Sequence, residues 1–323
     1  MPRRSLKRLE RGNMANKFRF GIQISNAGSA AEWAEKAKQM EDLGYSTLFI
    51  PDHFNDQLAP IPAMMAAADA TSTLRVGTLV LDNDYRHPLV LAKELATIDV
   101  LSGGRLEIGL GAGWMKTDYA ASGIPYDRPG IRVERFKEGL QIIKGLLSEG
   151  PFSFSGKYYT IDEHEGTPKP IQQPHPPILV GGGGKKVLSI AAQEADIIGI
   201  NFSLAEGEVN PTVAATGSAE ETHKRLGYVR EAAGDRLDAI EMNVMTFINM
   251  ITDDAAGMAE RVSAGFGLSA EEVMGSPHVL IGSTEQIEDT IIRRREEFGF
   301  SYVTFSSDVT EAMAPVVKRL AGT

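Results

Sequence analysis

From Phe18 onward the chain repeats one pattern. A short β-branched or apolar run leads into a loop with Gly, Pro, Asp or Asn, and then into a segment whose apolar positions recur every three to four residues. The runs are FRFGIQI (18–24), STLFI (46–50), LRVGTLVL (74–81), RLEIGLG (105–111), PILVGG (177–182), DIIGIN (196–201), AIEMNVMTFIN (239–249) and YVTFS (302–306). Between them the spacing predicts helices over 30–43, 62–72, 88–101, 129–148, from after 182 to about 194, 218–233, 254–265, 269–274, 284–298 and 309–321. The first carries Ala30, Trp33, Ala34, Ala37, Met40 and Leu43 on one face and is closed by Gly44, and Pro88 suits the first turn of the third.

Eight such repeats in about 310 residues fit a (β/α)8 TIM barrel better than a doubly wound sheet. The barrel is predicted to occupy 17–323 as a single domain, with insertions in the βα loops at about 150–176 and 202–217. The first insertion holds one hairpin, FSFSGKYYTI, and both are expected to cover the barrel mouth. Residues 1–16, with the basic cluster Arg3, Arg4, Lys7, Arg8 and Arg11, read as a solvated extension; no apolar region follows to make a secretory signal.

In a barrel, chemistry belongs where strands end. Those positions hold Asp52 and His53 after the second strand, Asp82 to His87 after the third, and Gly109 to Trp114 after the fourth. Gly181 to Gly184 follow the fifth, Asn201 and Phe202 the sixth, and Ser306 to Asp308 the eighth. His53 beside Asp52 is a candidate acid or base. GLGAGW lacks the third glycine of a dinucleotide fingerprint, and VGGGGKK lacks the Ser or Thr of a P-loop. Four glycines opening a helix still offer free N–H groups near a positive dipole end, which suits a phosphate.

Composition narrows the chemistry further. Zero cysteines among 323 residues remove thiolate nucleophiles, disulfides and Cys-ligated metals. His53, His87 and the neighbouring carboxylates have no metal-ligand spacing, so no metal is expected. A formal charge of -10 argues against a nucleic-acid partner, and no apolar run approaches the roughly 20 residues that span a bilayer. A cytoplasmic protein with a small-molecule substrate is the expectation.

The motifs FGIQI, DLGYSTLFIPDHF, RVGTLVLDNDYRHP, DVLSGGRLEIGLGAGWMKTDYAASGIPYDRPGIRVERFKEGLQII and PPILVGGGGKKVLSIAAQEADIIGI, taken together, resemble the luciferase-like flavin and deazaflavin oxidoreductases, over nearly all of 18–320. Within that superfamily the chain looks most like the branch using coenzyme F420, an 8-hydroxy-5-deazaflavin. The resemblance implies hydride transfer at the barrel mouth between the deazaflavin C5 and a small organic substrate. Asp52 would lie at the ring's polar edge and His53 would move a proton. A cis peptide between Leu79 and Val80 would back the ring. Gly111, Ala112 and Met115 would line the cofactor, Gly181 to Gly184 would hold its phosphate, and Asn201 would complete the site. Met115 departs from the Asn common in the family, which removes an amide contact. The resemblance also implies a homodimer. The alternatives are an FMN-dependent monooxygenase using reduced flavin and O2, a flavin-binding protein without turnover, and a metal-dependent hydrolase.

Overall fold

Each apolar run becomes a parallel strand, and each amphipathic segment a helix that returns along the outside. The computed structural model describes residues 16–306 and 309–323; the basic cluster at the start of the chain and the strand-end residues Ser307 and Asp308 lie outside them. In chain order the elements are β1 (Arg19–Gln23), α1 (Ala30–Asp42), β2 (Thr47–Ile50), α2 (Pro60–Ala70), β3 (Arg75–Thr78), its continuation β4 (Leu81–Asp82), and α3 (Pro88–Leu101). Next come β5 (Leu106–Gly111), α4 (Lys116–Ser122), α5 (Pro129–Leu147), a hairpin of β6 (Pro151–Ser155) and β7 (Thr160–Glu165), then β8 (Ile178–Gly182) and α6 (Lys185–Glu194). They are followed by β9 (Ile197–Ile200), α7 (Pro211–Ala215), α8 (Ala219–Ala233) and β10 (Glu241–Thr246). A second excursion, β11 (Ile248–Ile251), α9 (Ala255–Phe266), α10 (Ala270–Gly275) and β12 (Val279–Gly282), precedes α11 (Thr284–Phe298), β13 (Phe300–Ser306) and α12 (Thr310–Leu320).

The sheet order β3-β2-β1-β13-β10-β9-β8-β5 closes on itself through β3 and β5, all parallel, which makes the expected eight-stranded TIM barrel. Local chemistry sets the helices as read. The Ser29 hydroxyl accepts from the Glu32 N–H to start α1, and Trp33, Ala37 and Met40 are its buried stripe. Ser283 and Gln286 form a reciprocal capping box on α11, which ends at Gly299 in the left-handed region with φ 84°.

The run 74–81 breaks at the cis Leu79–Val80 bond that the resemblance implied and resumes as β4. Two readings need correction. The run 239–249 leaves the barrel after Thr246, and its tail pairs in parallel with β12, a strand the sequence did not suggest. The insertion 150–176 does not cover the mouth: its hairpin lies along α5, where Glu138 accepts the N–H groups of Lys157, Tyr158 and Tyr159, and Gln172 reaches the opposite end of the barrel to bond Arg75 and Asp99.

That opposite end is tied by charge. Glu107 of β5 is 1% exposed and receives Arg19, Arg75 Nε at 2.7 Å, the Tyr302 hydroxyl at 3.1 Å and the Thr47 hydroxyl at 3.2 Å. Arg19 also pairs with Glu241, at 2.6 Å from Nη2, and its guanidinium lies 3.7 Å from the centre of the Tyr302 ring. Burial alone would push the Glu107 carboxyl up, but the two arginines and Tyr302 hold it below its ordinary value. Above this cluster Phe49, Leu179, Ile197 and Tyr302 plug the barrel, and Leu79 and Val80 pack against them.

Replacing Glu107 with Gln leaves Arg19 and Arg75 without the carboxylate that compensates them. Unfolding free energy in urea at pH 7 is expected to fall by about 3 kcal/mol; a change below roughly 0.5 kcal/mol, the range of ordinary surface substitutions, would show that the cluster contributes nothing net.

Candidate functional site

A cavity of about 400 Å³ opens at the carboxyl ends of the strands, above the apolar plug. Its floor is the Leu79–Val80 step. Leu79 is held there by its N–H to the Ile50 carbonyl at 3.1 Å and by Gln23 Nε2, which donates to the Leu79 carbonyl at 2.8 Å. The space for the step comes from β5: a Cβ on Gly109 would sit 1.7 Å from the Thr78 carbonyl oxygen, and one on Gly111 would sit 2.6 Å from Val80 Cγ2.

His53 stands on the wall of the cavity. Its Nδ1 is 2.7 Å from Asp118 Oδ2, on the first turn of α4. The same carboxylate accepts the Phe54 N–H at 3.2 Å and the Tyr85 hydroxyl at 3.1 Å, so it is orientated from three sides. A carboxylate only accepts, so Nδ1 is the donor. Among the described residues Nε2 makes no hydrogen bond. Trp114 meets the ring edge-on at 5.6 Å and lines the cavity beside it.

Asp52 goes elsewhere. Its carboxylate forms a two-pronged pair with Arg86, at 2.6 and 3.1 Å, and accepts the Asp82 N–H at 3.1 Å. It is 3% exposed and does not line the cavity. Behind it Asp84 pairs with Arg135 at 2.6 Å, whereas Asp82 has only the Tyr119 hydroxyl and the Asp84 N–H as donors among the described residues. Burial, with the charges of Asp84 and Asp52 close by, pushes the Asp82 carboxyl up to about 7.

Of the other expected residues, Leu79, Val80, Gly181, Gly182, Gly183 and Asn201 come together around the cavity. Gly111 lies behind Val80, Ala112 packs on the core, Met115 caps α4 and Gly184 caps α6, and none of these four lines it. No side chain caps the N-terminus of α6, so the first-turn N–H groups after Gly184 are left for an external acceptor. No motif or spacing in the chain pointed to Asn243. Its Nδ2 donates to the Tyr302 carbonyl at 3.1 Å and to Thr304 Oγ1 at 2.9 Å, leaving Oδ1 buried and unpartnered beside the cavity. Gln57 Oε1, in the loop after β2, is a second buried acceptor without a partner among the described residues in the lining. Asp118 was also unread; an acid in the first turn of a helix just after a strand-end loop was the available signal.

The sequence matches the luciferase-like monooxygenase family over residues 14–302. It is 28% identical to a 5,10-methylenetetrahydromethanopterin reductase of Methanopyrus kandleri over 319 residues, 91% of this chain and 84% of that protein. It is 33% identical to an FMNH2-dependent dimethylsulfone monooxygenase of Pseudomonas putida over 156 residues, 46% of this chain and 43% of that one. In fold it superposes on the coenzyme F420 dependent tetrahydromethanopterin reductase of Methanopyrus kandleri with a TM-score of 0.74 at 21% identity, covering 94% of this chain and 98% of that chain. No helix among the described residues is long and apolar enough to cross a membrane.

The raised Asp82 pKa carries a pH signature. Unfolded, the carboxyl releases its proton near 3.8; folded, it keeps it to about 7, so between those values the folded state binds more protons and loses stability as pH rises. Asp82→Asn removes that loss. Urea midpoints at pH 5 and pH 8 are expected to fall less between the two in the variant than in the wild type, and equal falls would contradict the assignment.

Proposed function

The chain belongs to the luciferase-like monooxygenase family, and from that premise we propose that it is an oxidoreductase that transfers a hydride between coenzyme F420 and a small organic substrate. The observation that carries the reading is the cavity itself. Its lining holds two unpartnered buried acceptors, Asn243 Oδ1 on β10 and Gln57 Oε1 after β2, which fit the N–H groups of a flat heterocycle, and it ends at the uncapped start of α6, which fits a phosphate. The choice of F420 over FMN draws support from the reductase relative, which matches along nearly the whole chain, whereas the FMNH2-dependent relative matches along less than half.

In this reading Leu79, Val80, Asn201 and Gly181 to Gly183 would hold the ring, Asn243 and Gln57 would accept from its N–H groups, and the N–H groups after Gly184 would hold the phosphate. A bound deazaflavin supplies a two-electron hydride carrier. The protein's own work is positional and protonic. Asp118 fixes the His53 ring, Nε2 gives or takes the proton at the substrate oxygen or nitrogen, and Trp114 and Phe202 keep water from the reacting face. Asp52 acts one step removed, by fixing Arg86 and the start of β4. A cytoplasmic location and a homodimer belong to the same proposal, the first drawing on the absence of cysteines and of a secretory signal in the sequence, the second on the family resemblance.

The test is a fluorescence titration of the purified protein with oxidised F420 and with FMN. Micromolar F420 binding with FMN much weaker is expected; the reverse preference would move the chain to reduced flavin and O2, and binding of neither would end the reading. Gly184→Asp makes the phosphate arm specific. The position has open space, and a carboxylate there caps α6 while repelling an anion, so F420 affinity should fall at least about tenfold with no loss of apo-protein stability. For His53→Ala the expectation is turnover lower by roughly 10²–10⁴ with cofactor affinity within a few fold. Unchanged turnover would remove His53 from the chemistry.

A further inference from the structure

Beside the main cavity lies a second one of about 210 Å³, between the loop after β9 and the excursion β11 to β12. Phe202, Val209 and Phe247 line both spaces. They are the partition between them, and two are left open: Val209 is 58% exposed and Phe247 38%. The far wall is apolar, built from Val262, Leu268, Val273 and Val279.

Four polar residues, Ser218, Glu272, Ser276 and His278, interrupt that character, and among the described residues His278 is the one of them with a buried side-chain atom left unpartnered. His278 packs its ring against Phe202 at 5.5 Å and Phe247 at 5.7 Å, the same two rings that form the partition. Its Nδ1 lies 2.8 Å from the Met245 carbonyl oxygen, which can only accept, so Nδ1 carries the proton and Nε2 is a bare lone pair. Nε2 is buried and has no partner among the described residues. Burial lowers the imidazole to about 4, so the ring is uncharged at neutral pH. A buried acceptor left unmade is costly, and native structures seldom keep one without a ligand or water that uses it.

We infer that this second cavity is the distal part of the substrate site and takes an apolar arm bearing one hydrogen-bond donor, a hydroxyl or N–H that His278 Nε2 accepts. The inference rests on the reading that the main cavity is where chemistry happens. At roughly 30 Å³ per water-sized group the space holds about seven such groups, the size of a small substituted ring. A charged arm is disfavoured, because the lining offers no cation and its one carboxylate, Glu272, is exposed and engaged with the N–H of Ser269.

The test is isothermal titration of the full chain with 4-methylphenol and with p-xylene, which have the same shape but differ in the donor. A purely apolar cavity prefers p-xylene. The inference expects 4-methylphenol to bind at least about tenfold more tightly. In His278→Asn, whose amide can still donate to the Met245 carbonyl but does not reach the place of Nε2, the preference should vanish. In Ala214→Phe, which fills the cavity, saturable binding of both should be lost. Equal affinities or a preference for p-xylene in the wild type, a preference retained in His278→Asn, or phenol binding that survives Ala214→Phe would each overturn it. Should His278→Asn fail to fold, the wild-type comparison and Ala214→Phe decide the matter. The F420 titration is read separately on the wild type, so its failure strikes the cofactor reading and leaves this result standing.

Discussion

A Cβ on Gly109 would stand 1.7 Å from the Thr78 carbonyl oxygen, so the third strand can step into the barrel only because its neighbour is bare at that point. Gly111 repeats the arrangement for Val80, and Gly181 approaches the same side chain from β8. The step decides what lies above and below it. Below, Leu79 and Val80 complete an apolar plug with Phe49 and Tyr302; above, the same two residues are the floor of the cavity. Strand-interior glycines cost stability through lost packing and greater unfolded-state freedom. Here that cost is offset by backbone close enough to shape a site.

The site then divides its charges between scaffold and chemistry. Asp52 and Asp84 each have an arginine, and Asp118 has His53, Tyr85 and a backbone N–H. These acids are spoken for. Asp82 is the member without a cation among the described residues, and burial pushes its carboxyl up to about 7. The cavity lining itself carries no carboxylate among the described residues, and its buried unpartnered atoms are the amide oxygens of Asn243 and Gln57. Such a lining suits an uncharged heterocycle at the floor, with negative charge tolerated only toward the helix start at Gly184.

Much of this was legible in the chain. The eight apolar runs, the helix stripes and the Leu79–Val80 cis bond followed from periodicity and resemblance, because strand and helix signals are local. Asp52 stays out of the cavity lining for a local reason too: neighbours along an extended segment point to opposite sides, so His53 at the cavity puts Asp52 behind it. What escaped notice was non-local. Arg19, Glu107, Glu241 and Tyr302 sit on four strands as isolated polar residues in apolar runs, and nothing in their spacing says they meet. Asn243 is hidden in the same way. Asp118 was missed because α4 has only seven residues, too few for a periodic stripe.

The bridge from Arg19 to Glu241 spans 222 residues of sequence, and β13 must lie between β1 and β10 before the ring is whole. Closure is therefore a late event in folding, since contacts so far apart in the chain are reached only after nearer ones have formed. Until β13 arrives, β1 and β10 present open edges and Arg19 has no finished partner set. A nascent chain leaving the ribosome passes through that open state. Its unpaired edges, rather than the finished surface, are where this protein has most need of a chaperone.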